Sequence, residues 1–316
     1  MIYLNQVCSL LFLSLLTHGG SQKDTTIIND PYPAMVIAYE ERRLKYSEMG
    51  KLALYCGKSG NVALADSVAK DYKTKYLDKI SDSSYATFEN VRFMANFPSL
   101  IHCKDRFFWI FYNDGPGAEK MADAHSGFAR ELVDYLITRD EITQYLYTNG
   151  MVLVKKPDWK MISGNIKKDF GKKKADQLIT SAKLNFYQNS ADWKMFSVLF
   201  DRRVRQTKLK PGSISWGETM LDDAWEMNVN AWSIFVGSSN KRVLRRALRW
   251  SNLAIGICTN KGIILQITDT KANLLYKLGK YEHAIATEEE ALKLGPNSKA
   301  VRATLEKMKM KEPTWL

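Results

Sequence analysis

The residues of this chain that could do chemistry are its thiols, one acidic run, its histidines and a glycine-lysine loop. Only His102-Cys103-Lys104 sets a thiol between basic neighbours able to lower its pKa and make a nucleophile. Adjacent residues on a helix point in different directions, so His102 is poorly placed to act as a base for Cys103. The sequence contains no C-x-x-C, so thiol-disulfide exchange lacks its resolving pair. Once an N-terminal leader carrying Cys8 is set aside, Cys56, Cys103 and Cys258 remain; an odd number, they read as buried helix cysteines. Glu288, Glu289 and Glu290 are consecutive, so on a helix they fan out, and a solvated face is expected rather than an acid/base pair. His18, His102, His125 and His283 show neither i, i+4 pairing nor a cysteine spacing suited to zinc. Gly57-Lys58-Ser59-Gly60-Asn61 raises the phosphate-loop question, but the glycine required five residues earlier is Leu52 and no apolar strand precedes it. It reads as a helix end. These patterns predict no catalytic residue, no cofactor and no metal. The one enzymatic alternative is a thiol-dependent reaction at Cys103, which needs an unusually acidic thiol.

Charge permits more than it selects. Lys and Arg number 46 against 34 Asp and Glu, a net charge of +12, which favours acidic proteins, anionic lipids or other polyanions. The basic residues come in runs: Lys172 to Lys174, Arg202-Arg203-Arg205, and Arg242, Arg245, Arg246 and Arg249. The last four share one helix face opposite Leu244, Ala247 and Leu248, and a solvated outer face is expected of them. No recognised nucleic-acid-binding module accompanies the charge, so nucleic acid is not an expected partner. Contact with a membrane surface or envelope polyanion through these basic faces stays open as an alternative.

The elements that must position these groups are helices. Asp158-Trp159-Lys160-Met161 returns as Asp192-Trp193-Lys194-Met195, 34 residues later, which is the period of tetratricopeptide repeats. After Asp158 as N-cap, Trp159, Ile162, Ile166 and Phe170 fall on one helix face, and Gly171 ends that helix. Ala175, Leu178, Ile179, Ala182 and Phe186 form a second stripe before the polar turn at Gln188, Asn189 and Ser190. Asp192 caps the next helix, with Trp193, Phe196 and Phe200 facing inward. Trp159, Trp193, Trp232 and Trp250 all sit in such stripes and read as core. From Pro33 to Asn149 the pattern is helical but less regular. Met151 to Lys156 and Gly262 to Ile267 have strand-like composition, yet read as buried helix ends beside the repeats.

Farther along, Ala247-Leu248 with Ala254-Ile255 is echoed by Ala284-Ile285 with Ala291-Leu292 at an offset of 37. Small residues seven apart lie on nearly one helix face and let two helices approach closely. Gly279, Tyr281, Ala284, Ala291 and Pro296 stand at the spacings of the second half of a tetratricopeptide repeat. The first half departs from the pattern, holding Thr268, Lys271, Ala272 and Leu275 at its signature positions. After Pro296, Val301, Leu305 and Met308 mark a capping helix.

Asn230 to Phe235, Ala247 to Ser251, Asp269 to Gly279 and Leu305 to Lys309 resemble the helical C-terminal region of secreted bacterial thioredoxin-like proteins. The similarity is strongest from about Ser215 to Trp315 and continues more weakly to about Asn61. In that family a thioredoxin domain with a Trp-Cys-x-x-Cys site precedes the helices and carries the redox chemistry; no such domain is found in this sequence.

The resulting expectation is an all-α protein, an α-solenoid of tetratricopeptide-like hairpins, with a signal peptide at 1–21, an irregular helical region at 22–150 and repeats with a capping helix at 151–316. The resemblance and the repeats together imply a non-catalytic protein-interaction module of the cell envelope, periplasmic or secreted, with a protein partner. Val7 to Leu16 is apolar, too short to span a bilayer and suited to a leader, and Gly19 and Ser21 permit cleavage before Gln22. N-terminal sequencing of protein from its native cells is expected to start near Gln22; an intact Met1 would refute export by this leader.

Overall fold

The computed structural model describes residues 31–148, 150–154, 156–215 and 222–315. The leader, its cleavage site, Cys8 and His18 lie outside the described residues. The protein is all-helical and divides into two compact units, 1–178 and 179–316.

The first unit opens with α1 (Tyr32–Glu40), α2 (Tyr46–Lys58) and α3 (Val62–Lys75). Asn61 starts α3 by accepting from the Leu64 amide, so the glycine-lysine stretch ends one helix and begins another, with no phosphate loop between them. Then come α4 (Asp82–Tyr85), α5 (Phe88–Asn96), α6 (Arg106–Asn113), α7 (Gly115–Ala122), α8 (Phe128–Thr138) and α9 (Gln144–Leu146). Leu52, Val68, Val91, Phe107, Phe108, Leu132 and Leu136 have no exposed surface and form its core.

Met151 to Lys156 departs from the helix-end expectation. Gly150, at φ 74°, turns the chain so that β1 (Tyr147–Thr148) and β2 (Met151–Val152) pair antiparallel. Met151, Val152 and Leu153 are exposed, so their apolar character reflects no buried face.

Helix α10 (Trp159–Asn189) carries the first repeat motif and is broken at Gly171, whose φ of 83° and ψ of 165° no helix contains. The expected stripe is in place: Ile162 and Ile166 are fully buried, and Phe170 packs on Phe108 with ring centroids 5.5 Å apart. Asp158 accepts from the Lys160 and Met161 amides at 3.1 and 2.9 Å, satisfying two of the donors a helix start leaves free.

The second unit contains α11 (Trp193–Gln206), α12 (Asp223–Gly237), α13 (Lys241–Ile257), α14 (Lys261–Lys277), α15 (Tyr281–Leu294) and α16 (Lys299–Lys309). Asp192, Asp222, Asn240, Asn260 and Ser298 each accept a backbone N–H at the start of the helix that follows. Gly262 to Ile267 lies in the first turns of α14 and is helix, not strand. Consecutive helices from α12 to α16 pack on each other, and α12 also packs on α14. Phe200, Met227, Ile234, Phe235, Val243, Trp250 and Ile267 form the main core, and Ala247 and Ala254 are buried within it. A smaller cluster sets Ala284 of α15 beside Ala272, Leu275 and Tyr276 of α14 and Met308 of α16. Among the described residues, no helix is long and apolar enough to cross a membrane.

Ala284 has no exposed surface, so extra volume there must displace a neighbouring helix. Ala284→Leu is expected to cost roughly 1–3 kcal/mol through overpacking, read as a lower denaturant midpoint; an unchanged midpoint would show that the α14–α15 contact is not close.

Candidate functional site

The side of α12 turned away from its core stripe carries Trp225, Asn228, Val229, Trp232 and Ser233 at helical spacing. With Gln266, Asp269 and Thr270 of α14 these residues line an open groove of about 320 Å³. Trp232 was expected in the core; instead it is 41% exposed at the groove. The lining is rich in acceptors. Ser233 Oγ donates to the Val229 carbonyl at 2.9 Å and Thr270 Oγ1 to the Gln266 carbonyl at 3.0 Å. Each hydroxyl hydrogen is therefore used within its own helix, leaving lone pairs. Asn228 is 5% exposed, and its Oδ1 is buried with no hydrogen-bond partner, a costly state for an amide oxygen.

Below the groove floor lies an acid that sequence reasoning missed. Glu288 was expected on a solvated face with Glu289 and Glu290, but it has no exposed surface. The signal was available: Glu288 follows Ala284 by four and precedes Ala291 by three, which puts it on the buried stripe. No donor group of a neighbour reaches either carboxyl oxygen; its neighbour is the carboxyl of Asp269. Two carboxyls can share a hydrogen bond only if one keeps its proton. Burial, and next the Asp269 charge, push Glu288 up to about 10, so it stays protonated at neutral pH and donates to Asp269. Burial raises Asp269 as well, opposed by that bond and by Asn273, whose Nδ2 stands 3.3 Å from Asp269 Oδ1. The two carboxyls thus hold a proton between them, and Asp269 is the member that lines the groove.

The other candidates are placed differently. Cys103 is partly buried in the first unit, its Sγ 3.5 Å from Glu141 Oε1, and burial followed by the Asp140 and Glu141 charges pushes the thiol up to about 12. That is the reverse of the acidic thiol a Cys103 enzyme needs. Lys104 lies close but is held by Glu141 at 2.6 Å and Asp169 at 2.8 Å. Cys56 is buried and Cys258 partly so, both free thiols. Among the described residues, no group of three His, Cys, Asp or Glu is arranged to hold a metal.

The arginine face splits. Arg242 and Arg245 are exposed, but Arg246 and Arg249 are partly buried. Arg246 Nη1 donates to Ser197 Oγ at 3.1 Å, and Arg249 pairs with Asp201, which also accepts from Trp250 Nε1 at 3.1 Å and Arg205 Nε at 3.0 Å. The periodicity set these arginines on one side of α13 and could not reveal that α11 packs beside it. Of the repeat positions, Ala247, Ala254, Ala284 and Ala291 are fully buried, Trp159 and Trp193 are half-buried, and Tyr281 is exposed but edge-on to Tyr276 at 5.0 Å. Gly279 forms the α14–α15 turn, its N–H donating to the Tyr276 carbonyl at 2.9 Å, and Pro296 follows α15 in the next turn.

Glu288 fixes a sign for the pH dependence of stability. Its value in the fold, about 10, lies above the ordinary 4.5, so its contribution is fully present below 4.5 and is lost as pH rises toward 10, by at most roughly 1.4 kcal/mol per unit. Glu288→Gln keeps the shape and an N–H for Asp269 with no proton to lose. Its melting temperature should rise relative to the parent chain between pH 5 and pH 8; a constant difference across that range would mean Glu288 does not hold its proton. Comparison with protein-family models, with curated proteins and with solved structures gave no match to the chain.

Proposed function

We propose that the chain is an exported, non-catalytic protein-interaction module of the cell envelope, its helices forming an α-solenoid of tetratricopeptide-like hairpins. On this reading it is related to the helical part of secreted bacterial thioredoxin-like proteins. The observation that carries the reading is the α12–α14 groove. A trough lined by two tryptophans, with the Asp269 carboxyl and the Ser233 and Thr270 hydroxyl oxygens as acceptors, suits a partner segment that donates hydrogen bonds. Support for the repeat arrangement comes from α12 packing both on α13, its hairpin partner, and on α14, the first helix of the next hairpin. On this reading α12 and α14 are the inner helices, where a solenoid holds its partners.

The alternatives have less behind them. A polyanion binder needs its arginines free, and two of the four on α13 are engaged with α11. A thiol enzyme at Cys103 needs a thiolate that its carboxylate neighbours oppose.

In-cell cross-linking followed by partner identification tests the groove against the basic face. Trp232→Glu, at an exposed position, is expected to lose the main cross-linked protein, whereas Arg242→Gln with Arg245→Gln should retain it with slower association. Loss in the arginine pair, with steep salt sensitivity in the parent chain, would transfer the function to the polyanion reading.

A further inference from the structure

We propose that the α12–α14 groove is a site for a cationic side chain, lysine or arginine, carried by an exposed segment of a partner protein. This rests on the interaction-module reading and names the chemistry the groove selects. Asp269 contributes a carboxylate whose hydrogen bonds come from Glu288 and Asn273, with no lysine or arginine among the described residues pairing with it. Ser233 and Thr270 contribute hydroxyl oxygens whose hydrogens are committed to Val229 and Gln266. A ligand that supplies several N–H donors and one positive charge satisfies all of these groups together. Neutral donors would leave the charge of the Asp269–Glu288 pair unmatched.

Trp225 and Trp232 strengthen the choice. Both line the groove, and an indole face attracts a desolvated cation more than a neutral amide. The alkyl stem of lysine or arginine gives these rings apolar area to cover. Because the trough is open, with Trp232 41% exposed, the head group can sit inside while the backbone that carries it continues in solvent. Glu288 contributes from behind: its buried carboxyl neighbours that of Asp269, and no lysine or arginine among the described residues pairs with either, so the acidic pair presents Asp269 to the groove without a cation of its own. The net charge of +12 works against general attraction of basic peptides, so selection depends on this local contact.

The test uses the full chain labelled with 15N at its tryptophan indoles, the two groove signals being identified by loss in Trp225→Phe and Trp232→Phe. The probes are the capped pentapeptide Ala-Ala-Lys-Ala-Ala, its Arg and Gln counterparts, and n-butylamine. The Lys or Arg peptide is expected to shift both indole signals saturably, and the Gln peptide to bind about tenfold more weakly or less. Asp269→Asn should weaken the cationic peptide by a similar factor while leaving the melting temperature unchanged or higher, since it removes one of two facing carboxyls. Equal binding of the Gln peptide, or unchanged binding in Asp269→Asn, would overturn cation selection. n-Butylamine binding as tightly as the peptide would overturn the assignment to a protein segment. If the cationic peptides fail but Trp232→Glu still loses the cross-linked partner, the cation proposal falls and the module stands; if the partner survives Trp232→Glu, the groove reading itself falls.

Discussion

Alanines without exposed surface line the seams between the helices of the second unit: Ala231, Ala247 and Ala254 in the main core, and Ala272 against Ala284 in the smaller cluster. A one-carbon side chain lets two backbones come close and lets the larger residues on either side interlock. Phe200 and Trp250 meet edge to face at 4.7 Å within such a packed layer. The same closeness shuts out water, and any polar group on a seam must be satisfied by protein. Trp250 meets this demand with Asp201, whose carboxylate Arg249 and Arg205 then neutralise. Glu288 meets it by keeping a proton.

These two buried acids are opposite solutions to one problem. Asp201 is held below the usual carboxylate range because the arginine and indole hydrogen bonds outweigh its burial. Glu288 has no cation within reach, so burial wins. The difference determines what each acid can do for its surroundings. Asp201 fastens α13 to α11 and consumes two basic groups. Glu288 consumes none and passes its influence to Asp269, the one member of the pair that lines the groove.

Much of this arrangement was legible in the sequence, for physical reasons that hold residue by residue. Caps are local: Asp158 and Asp192 each need only the amides a few residues ahead, so their sequence context suffices. Stripes are nearly local: Ile162, Ile166 and Phe170 share a face whatever lies opposite. What covers a face is not local, which is why Arg246 and Arg249 read as solvated when α11 lies beside them. Trp232 illustrates the converse, an aromatic at core spacing that borders the stripe and faces the groove. Glu288 was hidden by its neighbours, since in a run of identical acids only the register with Ala284 and Ala291 singles out the buried one. The groove itself depends on α12 meeting α14 and has no sequence signature.

The small hairpin at Tyr147 to Val152 bears on how the molecules behave in concentrated solution. Met151, Val152 and Leu153 present an exposed apolar tip beside a strand only two residues long. So short an edge is a poor template for adding strands from another molecule, yet the tip remains adhesive. Mutual repulsion between chains of net charge +12 keeps such tips apart, and that repulsion fades once the Debye length falls to a few ångströms. The colloidal stability of this protein is therefore greatest in dilute electrolyte, the reverse of proteins whose opposite charges attract.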